Sequence, residues 1–264
     1  MPLLLLTPRE DIRDTFILAD AAKTPGWQIE RASSYQPSRS DYPQDVVLYG
    51  ETFFTTLVAQ KLAYAVLEPS FDLLAKFPTR YLKRDVQHLT LEQARQIKYS
   101  VFAKPADGNK AFESQVYPNG AAIPIRFLAK TLPVLVSTPV QWAVEYRFFI
   151  LERQIATYSV YGRNGQLALD EQGNYSAPEP EQQEAVAFCT RILRDDSIEL
   201  PPAVVLDLGM IPGKGWALVE PNPVSSSGIY ACNPPKVLAA LQRVCIREED
   251  VIPADRRWIV NRPL

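Results

Sequence analysis

Hydrophobic residues along the chain fall into short runs separated by polar, proline-containing breaks, and the spacing within each run predicts alternating strands and helices. Residues 3–7 form a continuous apolar run, the pattern of a buried strand. A helix is expected at 9–22, starting at Thr7 or Pro8, with Ile12, Phe16 and Ala19 sharing a face and Pro25-Gly26 ending it. Residues 27–32 and 45–49 read as strands, joined by a polar loop carrying Ser33, Ser34, Pro37, Ser38 and Pro43. An amphipathic helix is expected at 51–61 and a strand at 64–67, ending before Pro69. Strand–helix–strand alternation of this kind predicts a small α/β layer with some parallel pairing.

Residues 71–77 predict a short helix, and 78–85 a basic, exposed connection at which a domain boundary is placed, dividing the chain into 1–77 and 78–264. Residues 89–97 read as a helix with Thr90 as N-cap and Glu92 and Gln93 in its first turn. From Val101 an apolar strand carries Lys104 near its end, followed by a turn containing Gly108 and then Lys110. A buried strand begins at Val134, a connecting segment spans 137–142, and a second strand follows. In that second strand Glu145 and Arg147 face one way, and Val144, Tyr146 and Phe148 face the other, into the core. A turn at 152–154 leads to a strand at 155–161, completing an antiparallel meander with one wet face. Residues 162–180 lack periodicity and read as loop; 181–194 is an amphipathic helix with Ala185, Phe188 and Ile192 inward, which makes Cys189 a core residue. A last helix is expected at 236–246, with the proline-rich tail packed on the surface.

The most informative stretch is 204–222, two Val/Leu/Ile/Trp-rich strands joined by Pro212-Gly-Lys-Gly215. With the turn centred between Gly213 and Lys214, Ile211 faces Trp216 and Asp207 lies directly across from Glu220, with Asn222 on the same face. Directly opposed carboxylates repel unless neutralised. A divalent cation such as Mg²⁺, which favours hard oxygen ligands, would do this; a surface hairpin with its acids in water is the plainer alternative. Two further placements carry similar pairs of readings. Lys104 and Lys110 flank a turn whose N–H groups suit a phosphate, or they are solvated turn residues. Glu145 and Arg147 form a same-face surface ion pair, or Arg147 meets phosphate while Glu145 orients it.

Bulk properties narrow the function. With 47% hydrophobic and 22% charged residues the composition is that of an ordinary globular protein, and a net charge of −2 gives no electrostatic support for a nucleic-acid partner. The opening apolar run is too short to span a membrane and lacks the basic flank of a signal peptide, so a cytoplasmic protein is expected. Cys189, Cys232 and Cys245 are odd in number and widely spaced, arguing for neither a disulfide framework nor a zinc site. The single histidine, His88, leaves little room for triad chemistry, and no Gly-x-Ser-x-Gly elbow is present. Gly213-Lys-Gly is not a P-loop, because Trp216 follows where that motif needs its remaining residues.

Six segments in order resemble the ATP-grasp superfamily, in particular compact members of it: Tyr81 to Arg84, Phe102 to Pro105, Glu145 to Phe149, Asp207 to Gly209, Val219 to Pro223 and Ser227 to Tyr230. The likeness spans about residues 78–245. It implies an α+β fold in which two α+β lobes hold ATP, preceded by a small α/β pre-grasp layer that matches by element pattern alone. It implies that Lys104 contacts the α/β-phosphates, that Ser137, Thr138 and Val140 lie at the adenine, and that Glu145 belongs to the nucleotide site. Asp207, Glu220 and Asn222 would hold one or two Mg²⁺ ions, and Arg147 and Arg84 would neutralise the transferring phosphoryl group or hold an acid substrate. The single glycine of the Lys104 loop, Gly108, departs from richer loops in the superfamily and leaves Lys110 without a role. The implied reaction is ATP- and Mg²⁺-dependent ligation of a small-molecule or peptide carboxylate to an amine through an acylphosphate. A phosphotransferase and a non-catalytic nucleotide-binding module are the alternatives.

Overall fold

The computed structural model describes residues 1–38, 42, 45–108 and 111–260; Pro43 of the expected polar loop and Lys110 lie outside them. The four leucines of β1 (Leu3–Leu6) are all buried, at the centre of a three-stranded parallel sheet of order β2-β1-β3. The helix α1 (Arg13–Lys23) starts later than its apolar spacing predicts and buries a different face, Thr15, Leu18 and Ala22, leaving Phe16 57% exposed. Thr15 tolerates the core because its hydroxyl donates to the Ile12 carbonyl at 2.7 Å and accepts from Arg31 at 3.1 Å, while Phe16 lies beneath the Arg31 guanidinium. The strands β2 (Gln28–Arg31) and β3 (Val46–Tyr49) flank β1, and α2 (Thr52–Leu62) ends at left-handed Ala63 before β4 (Tyr64–Val66).

Two single-turn helices, α3 (Leu73–Lys76) and α4 (Thr79–Leu82), follow. The segment 78–85 is not the exposed connection its basic composition suggests: Tyr81, Leu82 and Arg84 are buried. The strand β5 (Val86–Thr90) occupies the start of the expected helix, and only α5 (Leu91–Ala94) is helical. Thr90 does cap it, in a reciprocal box in which Gln93 N–H donates to Thr90 Oγ1 and Thr90 N–H to Gln93 Oε1. With β6 (Val101–Pro105), β7 (Gln115–Tyr117) and β8 (Pro133–Ser137) this forms the small lobe, an antiparallel sheet of order β5-β8-β6-β7. Its core is its own, built on residues such as Leu91, Val101, Ala103, Ile123 and Val134.

The large lobe holds β9 (Val144–Leu151), β10 (Gln154–Arg163), β11 (Gln166–Leu167), α6 (Glu179–Leu193), β12 (Ala203–Ile211), β13 (Gly215–Asn222), α7 (Pro234–Val244) and β14 (Cys245–Arg247). Five strands form an antiparallel sheet of order β11-β10-β9-β12-β13. Part of the expected 162–180 loop is therefore sheet. Glu152 and Arg153, both with positive φ, turn β9 into β10. Arg153 donates to the carbonyls of Leu193, Asp195 and Ile198, satisfying backbone acceptors at and beyond the end of α6. Cys189 is buried in the core, as its helical spacing predicts. The short β14 returns to pair antiparallel with β4, and the Glu68 N–H donates to the Trp258 carbonyl. One continuous apolar core joins the N-terminal layer to the large lobe, taking in Leu4, Leu48 and Phe54 from the first and Phe148, Phe149 and Leu206 from the second. Full burial of such side chains contributes roughly 1.5–3 kcal/mol each. Among the described residues no helix is long and apolar enough to cross a membrane.

Candidate active site

The β12–β13 hairpin sets the site. Its turn pairs Ile211 with Gly215 and Met210 with Trp216, one residue away from the pairing that a turn centred at Gly213 and Lys214 predicts. A bulge at Val219 restores the shift, so Asp207 still stands opposite Glu220. Arg84 holds this bulge: Nη1 donates to the Leu218 carbonyl at 2.7 Å and Nη2 to the Val219 carbonyl at 2.8 Å, with a third bond to Leu82. Burial lowers the Arg84 guanidinium to about 10.

Asp207 also faces Arg147 on the neighbouring strand β9. Arg147 Nε and Nη2 donate to the two Asp207 oxygens at 2.9 and 2.7 Å, and Nη1 donates to the Gly228 carbonyl at 3.0 Å. Burial works against the Arg147 charge, but Asp207 outweighs it and holds the guanidinium above its ordinary value. Asn222 Nδ2 bridges the carboxylates, donating to Asp207 at 2.9 Å and Glu220 at 3.1 Å. Lys104 from the small lobe donates to the other Glu220 oxygen. Burial pushes the Glu220 carboxyl up, and Lys104 and Asn222 pull it below its ordinary value. The result is an unbroken row, Lys104–Glu220–Asn222–Asp207–Arg147, running from one lobe to the floor of the other.

The row extends to the N-terminal layer through the loop at 227–230. Tyr49 donates to the Ser227 carbonyl at 2.9 Å, and the Ile229 N–H donates to Asp14 at 2.8 Å. Tyr230, at φ 50°, stacks on Tyr161 with ring centroids 4.9 Å apart, and both rings lie beside the Arg147 guanidinium.

A cleft of about 560 Å³ opens between the small-lobe sheet and this hairpin. Of the residues singled out in the sequence, Arg84, Lys104, Ser137, Thr138, Val140, Glu145, Glu220 and Asn222 line it, and Gly108 lies at its rim. Arg147 and Asp207 do not; 9% and 1% exposed, they sit beneath the floor. Lining residues that sequence reasoning missed include Trp142, Tyr161, Thr52 and Ser70. Tyr161 donates to Glu145 Oε2 at 2.9 Å and partly offsets the burial that raises the Glu145 carboxyl. Tyr161 is the extra residue of a bulge between Val160 and Gly162, so strand alternation cannot predict where it points.

Glu220 and Asn222 offer hard oxygen atoms at the cleft wall, the donor type Mg²⁺ takes. Asp207 accepts three hydrogen bonds, and a carboxylate has about four acceptor sites, which leaves room for one further partner. The donor set therefore fits a hard cation, with the positive charges of Lys104 and Arg147 now filling that electrostatic place. Among the described residues no group of three or more His, Cys, Asp or Glu side chains is gathered for a metal, so the set stands on two carboxylates and an amide.

The fold recurs among solved structures at low sequence identity. D-cycloserine synthetase DcsG superposes with a TM-score of 0.55 at 15% identity, over 91% of this chain and 98% of that one. The ADP complex of purK, N5-carboxyaminoimidazole ribonucleotide synthetase, gives 0.54 at 14% identity, over 84% and 70%. No protein with a curated description matches the sequence. A family model for the ATP-grasp domain, describing the second family of its clade, matches residues 81–240, which takes in both lobes, the connection between them and the whole hairpin. The chain belongs to that ATP-grasp family.

Proposed function

We propose that the protein is an ATP- and Mg²⁺-dependent ligase that joins a carboxylate to an amine. The observation that carries this reading is the charged row from Lys104 to Arg147 along the floor of a cleft roofed by a second lobe. In the proposed complex the adenine lies at Ser137, Thr138 and Val140, Glu145 accepts from the ribose, and Lys104 meets the α/β-phosphates. Glu220, Asn222 and Asp207 would hold Mg²⁺, which supplies charge neutralisation along the phosphates. Arg147 acts from beneath the floor, fixing both Asp207 oxygens and the Gly228 carbonyl.

The substrate carboxylate attacks the γ-phosphate, the bond to the ADP oxygen breaks, and an acylphosphate forms; an amine then attacks the acyl carbon and phosphate leaves. Such chemistry needs positioning and charge stabilisation more than a histidine base, in keeping with a chain whose only histidine is the exposed His88 on β5. The relatives of this fold named above are synthetases of small molecules, which supports a small-molecule or peptide acid and amine. Ligand binding to the native state alone raises the melting temperature, so the first test is a thermal-shift titration with ATP, with and without Mg²⁺. A Mg²⁺-dependent rise that disappears in Lys104→Ala is expected; no rise at millimolar ATP would overturn the nucleotide reading. Screening acids and amines then tests ligation: phosphate release requiring both partners supports it, and a stable phosphoester would point to phosphotransfer.

A further inference from the structure

We infer that Arg84 and Gly209 are positioning residues that hold Trp142 as a wall at the nucleoside end of the cleft, and that Arg84 does not act on the phosphates. The inference rests on the nucleotide reading above. Trp142 lines the cleft two residues beyond Val140, in the connection between lobes. On one side it meets Gly209 of β12, where a Cβ atom would stand 2.5 Å from Trp142 Cε3 and 3.1 Å from Cζ3. Real Cβ atoms do not approach so closely, so any side chain at 209 would drive the indole out of its present place. The Arg84 Cζ stands over the same ring system, 5.1 Å from its centroid.

Arg84 is poorly placed for a phosphate. Three of its N–H bonds end on the carbonyls of Leu82, Leu218 and Val219, and the residue is 8% exposed. What it joins are the two ends of the cleft: its face supports Trp142, and its edge secures the bulge that brings Glu220 opposite Asp207. A planar fork does both at once, and a lysine ammonium cannot.

The test is isothermal titration of adenosine and of ATP with Mg²⁺ into wild type, Gly209→Ala, Trp142→Ala, the Gly209→Ala/Trp142→Ala double variant and Arg84→Lys. Gly209→Ala and Trp142→Ala are expected to weaken adenosine and ATP by the same factor, roughly tenfold, on the scale of a lost aromatic contact. Gly209→Ala should add nothing once Trp142 is alanine. Arg84→Lys should also weaken adenosine, despite keeping the charge. Adenosine affinity unchanged in Trp142→Ala or Gly209→Ala would overturn the wall; a loss in Arg84→Lys confined to ATP would return Arg84 to the phosphates. If Arg84→Lys fails to fold, the two Trp142-directed variants still decide the matter. Wild type that binds neither ligand would sink the nucleotide reading and this inference with it.

Discussion

Lys104 and Glu220, 116 residues apart in sequence, form an ion pair across the mouth of the cleft, linking β6 of the small lobe to β13 of the large one. Each is assigned, in the proposed function, to an opposite part of the same ligand: the lysine to the triphosphate and the glutamate to its counter-ion. Without ligand they satisfy each other. Nucleotide and cation must therefore arrive together to separate them at no net loss of charge pairing.

The pair makes an unusual sign prediction for Glu220→Gln. Freed of its partner, Lys104 should bind ATP in the presence of a chelator more tightly than in wild type, by about fivefold for a partly exposed pair. The Mg²⁺-dependent gain should vanish in the same variant. Titration calorimetry in EDTA and in Mg²⁺ reads both effects, and weaker chelator-phase binding than wild type would rule out the exchange.

The buried Arg147–Asp207 pair governs stability more than it contributes to it. Removing one member strands the other charge in the core, so Arg147→Met or Asp207→Ala should each cost about 3–5 kcal/mol in urea unfolding. Replacing both, Arg147→Met with Asp207→Leu, should cost less than the sum. Additive losses would mean the two residues act separately. Arg147→Lys should rescue little, since an ammonium cannot span both Asp207 oxygens.

Glu145 gives the pH dependence. Burial raises its carboxyl above the ordinary value, and the Tyr161 hydroxyl offsets this only in part. A raised folded-state value means that this group's contribution to folding is full below the unfolded pKa and is lost as pH rises through the folded one. Nucleotide binding that uses the carboxylate as acceptor should run the other way, strengthening over the same rise. Melting and ATP titrations between about pH 4 and about pH 7 should show both trends in wild type and neither in Glu145→Gln. An unchanged profile in the variant would assign the titration elsewhere.

Arg153 tests the α6 terminus. Arg153→Ala removes donors to three carbonyls and should cost about 1–3 kcal/mol, with faster amide exchange in the last turn of α6. Arg153→Gly should be milder by about 1 kcal/mol, because the residue sits at φ 57°. Equal losses would show that the backbone at this turn carries no strain.

The fold was legible where local pattern and tertiary outcome agree. The leucines of β1, the strands around Lys104 and Arg147, and the helix burying Phe188 and Cys189 follow from apolar spacing, and the motif order led to the correct superfamily. Composition misled where a charged residue is buried at a carbonyl cage: the basic run at 78–85 looked exposed because nothing local announces that Leu218 and Val219 await Arg84. The α1 face was misjudged because a threonine with its hydroxyl satisfied packs as well as an apolar residue. At the site, alternation gave the common face of Glu145 and Arg147 but not their depth, which depends on β12 pairing with β9 across 60 residues. Opposing Asp207 to Glu220 needed two shifts that cancel, a displaced turn and a bulge, and neither has a local signature.

The pairing of β4 with β14 bears on how the chain is made. Emerging from the ribosome in order, the N-terminal layer appears first, yet the partner of its β4 strand is among the last segments synthesised. Until then β4 is an open edge and the face of β3 that packs near Cys245 is uncovered. The small lobe, with a core of its own, can close in the interval. Translation speed through the second half of the message thus sets how long the oldest part of the protein stays unfinished.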